Sequence, residues 1–210
     1  MSDPRPEEFR RFHDLLTEHA PDGYTPWYFR VREGSKAPAT KYGSWKDADA
    51  RLSVDDAVAW MEDGGNVGVA GTADDALVNV DIDDEDETTA DDLKQTLIAR
   101  SRSRTGVHAW YFAAPDEDIP NIPTDDAGEV RANWQYVVAP GSYVETDPDA
   151  VPAEERDDAG YYTVERENSV QSLRFDELPD VFVEHHKKTE QQDTEPELQE
   201  ELPDAAEDGT

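Results

Sequence analysis

The chain has 210 residues, with 51 acidic against 19 basic residues, a formal net charge of −32 and no cysteine. The length is enough for one domain with a substantial core, and the lack of cysteine excludes disulfides, thiolate metal sites and cysteine nucleophiles. No run approaches the roughly 20 apolar residues of a membrane span, and the N-terminus has no apolar core of a signal peptide. We therefore expect a soluble, cytoplasmic protein without a membrane partner.

The negative charge has two interpretations. A polyanionic chain is usually a poor ligand for nucleic acid, which is itself a polyanion. However, the acids are spread along the whole chain, and only six residues are Lys. This pattern is expected in a cytosol full of salt, where a Debye length of about 3 Å at 1 M removes the cost of self-repulsion. The second interpretation predicts a halophilic, haloarchaeal source, in which local departures from the acidic background carry the information about partners.

Hydrophobic periodicity and turn residues predict mixed elements along the chain. The predicted helices span residues 5–19, 53–61, 86–100 and 175–186, and Ser53 and Asp56 form a capping box at the second of them. The predicted strands span residues 27–32, 66–70, 76–82, 107–114, 129–133, 135–140 and 160–166. This order predicts an α+β or mixed α/β domain over residues 1–186. Residues 187–210 have almost nothing to bury, and we expect them to form a disordered acidic tail or a linker.

Three stretches break the acidic background. Residues 94–114 hold no acid over 21 positions, residues 131–144 hold none either, and residues 23–46 hold only Glu33. One interpretation is that the basic residues of these stretches merely balance nearby acids. The other is a phosphate-binding wall, for which arginine is well suited because its guanidinium group pairs bidentately with phosphate oxygens.

Two carboxylates end the apolar strand over residues 76–82. Because residues i and i+2 of a strand share a face about 6.5–7 Å apart, Asp81 and Asp83 can converge on cations. Hard oxygen ligands favour Mg²⁺ or Mn²⁺, and such ions also hold substrate phosphates in two-metal displacements. The pair by itself is weak evidence, because solvated acids at a strand end are common in a chain this acidic.

Four motifs follow one another in the sequence: NVGVAGTADDALVNVDIDDED, SRTGVHAWYF, GEVRANWQYVVAPGSYV and GYYTV. In order and spacing, this series resembles the catalytic core of primase-polymerase domains of the archaeo-eukaryotic primase superfamily. The resemblance runs from about residue 27 to residue 164. It implies a mixed sheet with flanking helices, in which an RRM-like catalytic half is joined to an N-terminal α/β unit.

The resemblance also implies a metal site. Asp81, Asp83 and Glu129 are expected to hold two divalent ions, Mg²⁺ or Mn²⁺. Glu129 stands where the family more often has Asp, and its extra methylene group could shift the metal. Three other acids are therefore alternatives for the third ligand: Asp125, Asp126 and Glu145.

A nucleotide site is implied next to the metal site. His108 is expected to contact the triphosphate of an incoming NTP or dNTP, although its strand position is also compatible with a buried core histidine. Arg131, Arg104 and Ser142 are expected to contact the nucleotide or its phosphates. Two lysines of the loop over residues 36–46 are candidate contacts of a single-stranded or primed DNA template: Lys36 and Lys41.

The function implied by the resemblance is metal-dependent nucleotidyl transfer. We expect a bifunctional DNA primase/polymerase that makes primers or extends DNA in the replication of a plasmid, virus or mobile element. No P-loop motif occurs in the sequence, so any helicase partner is expected on a separate chain. Two alternatives stay open: a non-catalytic replication or nucleic-acid-binding module that retains the fold, and a DxD metal enzyme acting on nucleotide-sugars.

Overall fold

A computed structural model of the protein describes residues 3–73, 75–83, 93, 95–124, 127–146 and 159–194. The helices are α1 (Pro6–Thr17), α2 (Val54–Glu62) and α3 (Asp180–Thr194). The strands are β1 (Trp27–Val31), β2 (Asn66–Ala70), β3 (Leu77–Ile82), β4 (Leu97–Arg100), β5 (Val107–Ala113), β6 (Ile122–Pro123), β7 (Glu129–Arg131), β8 (Tyr136–Val138), β9 (Tyr143–Val144), β10 (Gly160–Tyr161), β11 (Thr163–Glu167) and β12 (Gln171–Leu173).

The smaller sheet is formed by two strands from the N-terminal part of the chain and the later strand β8. It is antiparallel, in the order β1-β2-β8, and is covered on one face by α1 and α2. The apolar stripe of α1 is buried there, with the Phe9 ring edge-on to Tyr28 at 5.0 Å. Phe12 reaches further and packs against Trp110 of β5, also at 5.0 Å. One hydrophobic core therefore joins α1 and α2 to both sheets.

The larger sheet has seven strands in the order β11-β4-β5-β3-β7-β6, and β12 pairs with β5 beyond the end of β4. Its central strands are buried on both faces. One face packs on the helices α1 and α2, and the other face packs on α3, whose Phe182 lies in a second core with Val80 and Ile98. The site described below lies at the edge of the first of these faces.

Several sequence predictions are confirmed. The chain is a mixed α+β protein, and strands form at the predicted places along β1, β2, β3 and β5. The N-cap of α2 is Ser53, whose hydroxyl accepts the backbone N–H of Asp56 and donates to the carboxylate of Asp56 at 2.6 Å. None of the helices described is long and apolar enough to cross a membrane.

The helix predicted over residues 86–100 is wrong at its C-terminal end. Residues 97–100 form β4, between β11 and β5, while residues 86–92 and 94 lie outside the described part of the chain. Leu97 is buried in the first core and Ile98 in the second, as in a strand that is covered on both faces. Such a short, continuously apolar run looks the same in sequence as the end of a buried helix.

Two other boundaries differ from the prediction. The strand over residues 160–166 is divided into β10, which pairs with β9, and β11, which pairs with β4. The last helix begins at Asp180 rather than at residue 175, because Leu178 precedes a proline and is extended, with φ −65° and ψ 151°. It continues to Thr194, eight residues beyond the expected domain end at 186.

Candidate functional site

Three of the predicted site residues form a row across the larger sheet. Asp81 of β3 lies directly opposite His108 of β5 on one side and Glu129 of β7 on the other. Because residues opposite each other in neighbouring strands share a face, the three side chains lie on the same side of the sheet. Strand pairing therefore brings together three residues that are far apart in the sequence.

Two glycines allow the neighbouring strands to approach the end of β3 closely. A Cβ atom at Gly128 would lie 2.0 Å from the carbonyl oxygen of Asp81, and one at Gly106 would lie 2.6 Å from that of Ile82. Gly128 also has a φ of +110°, which favours glycine. These glycines come just before Glu129 and two positions before His108, and so they set the approach of both side chains to Asp81.

The carboxylate of Asp81 is paired on both of its oxygens. Nε2 of His108 lies 3.2 Å from Oδ1, and Nε of Arg131 lies 3.2 Å from Oδ2, as an ion pair rather than an aligned hydrogen bond. Arg131 also reaches Glu129, with Nη2 3.1 Å from Oε2. Arg131 therefore bridges the two carboxylates that were predicted to share a cation.

The pKa values of the two aspartates are shifted in opposite directions, although Lys36, Arg131 and His108 act to lower both. Burial would raise the pKa of Asp81, but the attraction of His108, Arg131 and Lys36 outweighs burial and lowers that pKa. Burial followed by repulsion from Asp81 raises the pKa of Asp83. Asp81 is therefore held as a stable anion, whereas Asp83 carries an unfavourable charge in this protein.

The residues fit a divalent cation by donor chemistry but not by their present arrangement. Carboxylate oxygens are the ligands that Mg²⁺ and Mn²⁺ prefer. However, both oxygens of Asp81 and one of Glu129 are engaged by basic side chains. Within the described ranges, no group of three or more His, Cys, Asp or Glu residues could hold a metal ion. A cation bound by Asp81 and Glu129 requires Arg131 to move away.

His108 lies deeper than a surface ligand. It is 5% exposed, and its ring lies 5.2 Å from the ring of Tyr162. Its Nδ1 atom is buried and has no hydrogen-bond partner among the described residues. Such a buried polar atom is rare in folded proteins and is most often explained by an ordered water, an ion or a functional contact.

A basic pocket of about 530 Å³ lies at the same part of the molecule. Its lining includes three basic side chains, from Arg32, Lys36 and Arg102, together with Glu145. Lys36 is close enough to Asp81 and Asp83 to lower the pKa of both carboxyl groups. The pocket therefore lies beside the acidic row, and its charge favours an anionic ligand.

Other predicted residues lie elsewhere. Ser142 is fully buried, and its hydroxyl accepts the backbone N–H of Val67 at 3.2 Å, so it supports a turn rather than facing a ligand. Arg104 is exposed in the turn between β4 and β5 and is not among the residues that line the basic pocket. Lys41 lies over the ring of Tyr42 at 4.8 Å and lines a different cavity.

The alternatives for the third acid are also placed. Glu129 is the residue opposite Asp81, whereas Glu145 lines the basic pocket and its carbonyl oxygen accepts Nη1 of Arg102 at 3.1 Å. Asp125 and Asp126 lie outside the described residues.

A chain of hydroxyl groups in the β4–β5 turn was not predicted from the sequence. The hydroxyl of Ser103 lies 2.9 Å from that of Ser101 and 3.1 Å from that of Thr105. Thr105 in turn donates to the carbonyl oxygen of Asp83 at 3.4 Å. The acid-free stretch over residues 94–114 pointed to this turn, but it did not show which side chains lie next to Asp83.

The basic groups of the pocket suit a phosphorylated ligand, because guanidinium groups form strong, bidentate hydrogen bonds with phosphate oxygens. Over residues 18–181, the sequence matches the protein family described as "Bifunctional DNA primase/polymerase, N-terminal" (Prim-Pol). The match covers most of the chain, which therefore belongs to the Prim-Pol family. Enzymes of this family generally use divalent metals.

The comparisons with curated proteins and with solved structures add little to the family assignment. No curated protein matches the chain. One similar solved structure is described as "Crystal structure of primase RepB'", with 13% sequence identity and a TM-score of 0.43 over 90% of this chain. The chain spans 64% of that protein's chain, which is less than two thirds of its length.

Proposed function

We propose that the protein is a template-directed nucleotidyltransferase, a DNA primase/polymerase that adds nucleotides to a 3′-hydroxyl end. The observation that carries the proposal is the row of Asp81, His108 and Glu129 across three strands, beside a basic pocket. Membership of the Prim-Pol family supports the same activity. In the reaction, the 3′-oxygen bonds to the α-phosphorus, the bond to the β-phosphate breaks, and pyrophosphate leaves.

The basic pocket is the proposed place of the triphosphate. A volume of about 530 Å³ falls within the range of small-ligand sites, and Arg32, Lys36 and Arg102 supply positive charge. In a site shielded from water, such cations stabilise the charge that develops on the phosphates during transfer. His108 is proposed as a further contact, since its buried Nδ1 lacks a partner among the described residues.

Arg131 is proposed to exchange partners when the nucleotide enters. It now bridges Asp81 and Glu129, and its guanidinium group is also well suited to bind phosphate. A triphosphate beside it offers a stronger negative charge than the two carboxylates. Its movement toward the phosphates leaves the oxygens of Asp81 and Glu129 free of the guanidinium.

The proposal includes two divalent ions, Mg²⁺ or Mn²⁺, on Asp81, Asp83 and Glu129. Such ions neutralise phosphate charge and lower the pKa of an attacking hydroxyl group. They require the movement of Arg131 described above. The oxygen donors suit these metals, and the raised pKa of Asp83 is the mark of a carboxylate that gains from a nearby cation.

The setting of the activity is also a proposal. The expected substrates are NTP or dNTP and a single-stranded or primed DNA template, in the replication of a plasmid, virus or other mobile element. A helicase on a separate chain is a proposed partner, and a halophilic archaeal cytoplasm is the proposed environment. The acidic, lysine-poor composition supports that environment.

A second candidate function is a replication module that binds nucleic acid without catalysis. The observation that favours it is the Arg131 bridge, because a permanent guanidinium between Asp81 and Glu129 takes the place of a metal ion. No observation on the described residues favours action on nucleotide-sugars.

Template-directed primer extension tests these functions. The purified chain is given a primed template, each nucleotide set, and Mg²⁺ or Mn²⁺, at low salt and in molar KCl. We expect extension by the wild type and a loss of about 100-fold or more in the Asp81→Asn variant, which keeps the shape of the side chain.

The matched control is Asp116→Asn. Asp116 forms an exposed ion pair with Arg174 and takes no part in the site, so extension should be unchanged. A wild-type protein that extends no primer under any of these conditions, but still binds DNA, establishes the non-catalytic module instead. Equal activity of wild type and Asp81→Asn contradicts the proposed site.

A further inference from the structure

Five aromatic side chains form a continuous group on the outer face of the smaller sheet; they are called the aromatic cluster below. Its members are Trp27, Phe29, Trp45, Trp134 and Tyr136. Neighbouring ring centroids lie 4.8 to 6.2 Å apart, and the Trp45 ring stacks on Phe29 at an interplanar angle of 26°. Only Phe29 is buried, and the other four rings are partly exposed.

The cluster is assembled from two of the three acid-poor stretches of the chain. Trp27, Phe29 and Trp45 come from residues 23–46, and Trp134 and Tyr136 come from residues 131–144. In a chain of net charge −32, these two stretches together carry a single acid, Glu33. An aromatic surface built from acid-poor segments is suited to a polyanion that carries flat, apolar groups.

Cations border the cluster. Nζ of Lys46 lies 5.1 Å from the ring centroid of Trp45, and the guanidinium group of Arg51 lies 5.3 Å from that of Trp27. The nearest acid in sequence, Asp47, is engaged with the backbone N–H of Ser44. Nε and Nη2 of Arg51 donate to the carbonyl oxygens of Pro26 and Thr25, which hold its guanidinium group beside Trp27. Lys46 is therefore the cation placed to pair with a phosphate while bases lie on the rings.

The backbone at Trp134 is held in an unusual conformation. Its φ is +54°, which is strained for a bulky residue. The N–H of Trp134 donates to the carbonyl oxygen of Gly71 at 2.8 Å, and its ring lies edge-on to Trp27 at 5.1 Å. Strain of this kind is concentrated at functional positions. Here it directs a large ring onto the cluster rather than into a core.

The cluster is continuous with the candidate functional site. Nη1 of Arg131 donates to the carbonyl oxygen of Tyr136 at 3.1 Å, and the Tyr136 hydroxyl donates to the carbonyl oxygen of Lys36 at 3.2 Å. Arg131 bridges the acidic row, and Lys36 lines the basic pocket. A strand lying on the cluster therefore leads directly to the proposed nucleotide.

A cavity of about 460 Å³ lies at the other end of the cluster. Trp27 and Trp134 form part of its wall, together with Tyr24, Arg51 and Asp75. Asp22 also lines the cavity. The cavity thus combines aromatic walls with polar side chains that can hydrogen-bond the edge of a base, which suits one unstacked base.

We propose that the aromatic cluster binds a single-stranded nucleic acid by stacking its bases, with one base in the 460 Å³ cavity. That this strand is a template rests on the proposed function, but the binding itself does not. Stacking on aromatic rings accepts any base, which suits a protein that copies sequences without choosing them.

The test is the affinity of the full-length protein for fluorescent oligo(dT) and oligo(rU), measured by anisotropy with a chelator and without nucleotide. Trp45→Leu keeps an apolar group over Phe29 but removes the stacking ring. We expect it to weaken binding about 10-fold or more, since each stacked base contributes about 1–3 kcal/mol. Comparison of the two oligonucleotides shows whether the surface takes DNA, RNA or both.

Two control variants separate stacking from charge and from general aromatic loss. Tyr42→Ala removes an exposed ring outside the cluster and should leave the affinity unchanged. Lys46→Gln should weaken binding at low salt only, because its phosphate contact is screened. The effect of Trp45→Leu should persist in molar KCl, because stacking is not electrostatic.

Wild-type protein provides a measurement that does not depend on the folding of any variant. Photocrosslinking of an oligonucleotide that contains 4-thiothymidine, followed by mass spectrometry, should place the crosslinks in residues 21–51 and 131–136, which include the cluster and the cavity wall. Crosslinks confined to other segments, absence of oligonucleotide binding, or unchanged affinity of a folded Trp45→Leu variant each overturn the proposal. Failure of primer extension alone concerns the proposed function and leaves this binding intact.

Discussion

The acidic row of Asp81, His108 and Glu129, which Arg131 bridges, and the aromatic cluster are neighbours that are stabilised in different ways. Three ion pairs hold the row and Arg131 together on one face of the larger sheet. In the aromatic cluster, neutral rings contact one another and stay partly open to solvent. The hydrogen bond from Arg131 to the carbonyl oxygen of Tyr136 joins the two regions.

Because of this difference, the two regions respond to a ligand in different ways. A buried charge cannot lose its partner without gaining another, so the row changes by exchanging partners. Rings that pack loosely at a surface can accept a further ring with little rearrangement. Substitutions in the row should therefore change the free energy of unfolding in a strongly coupled, pH-dependent way. Substitutions in the cluster should cause small and nearly independent changes.

The largest expected effect is on the pairing of Asp81 with Arg131. Asp81→Ala leaves Arg131 and His108 without their shared anion, and we expect it to lower the free energy of unfolding by about 3 kcal/mol at neutral pH. Arg131→Met should partly compensate, so that the double variant loses less than the sum of the two single variants. Urea denaturation of the four proteins measures this coupling.

The control pair is Asp116 and Arg174, which are 73% and 48% exposed. Its double-variant cycle should give less than about 1 kcal/mol. Combining Asp81→Ala with Trp45→Leu should give additive losses within about 0.5 kcal/mol. A larger deviation would mean that the row and the aromatic cluster are energetically coupled, which contradicts their independent stabilisation.

A smaller effect is expected from Gly128→Ala. The new Cβ meets both a φ of +110° and the carbonyl oxygen of Asp81 at 2.0 Å, so we expect a loss of about 1–3 kcal/mol in stability and reduced primer extension. Gly23→Ala is the matched control, because Gly23 has a φ of +83° but no atom within 4 Å of the added Cβ. Equal losses in both variants would show that strain alone, and not the approach to Asp81, matters at Gly128.

The smallest effect is expected from Asp83→Asn, and it has the opposite sign. Burial and the charge of Asp81 raise the pKa of Asp83 in the folded protein. A carboxyl group with a raised folded pKa favours folding fully only below its unfolded pKa, and this contribution is lost as the pH rises through the folded value. Asp83→Asn should therefore be more stable than wild type at pH 7, and the gain should disappear below about pH 4.

Thermal unfolding from pH 3 to pH 8 measures this difference, with Asp116→Asn as the exposed control. Primer extension should nevertheless fall in Asp83→Asn, because Asp83 is a proposed ligand of the divalent ions. A variant that is less stable than wild type at pH 7 would contradict the assignment of Asp83 as a destabilising charge.

Part of the candidate site could be predicted from the sequence. Asp81 was recognisable because an apolar strand ended in carboxylates, and the motifs around His108 and Glu129 placed them nearby. The pairing of Arg131 with both carboxylates could not be predicted, because it depends on the register of β3 with β7. Ser142 was misleading for the same reason: its motif position gave no sign that its hydroxyl would serve the backbone of β2.

Within the fold, the elements that could be predicted are those that depend on interactions between residues close in the sequence or that have a clear hydrophobic pattern. The α2 cap and the alternating strands β1 and β3 depend on neighbouring residues, and so their patterns were readable. β4 was mistaken for a helix because only its position between β11 and β5 decides its form. The grouping of the rings in the aromatic cluster could not be predicted from the sequence pattern, since Trp27 and Trp134 meet only in the folded chain.

The amino-acid sequence therefore shows which groups the protein can use: carboxylates at a strand end, an imidazole in a strand, and aromatic and basic residues in acid-poor stretches. Which of these groups touch depends on the folded chain, because ion pairs and ring contacts act over a few ångströms. Distances on that scale are set by the pairing of strands from distant segments.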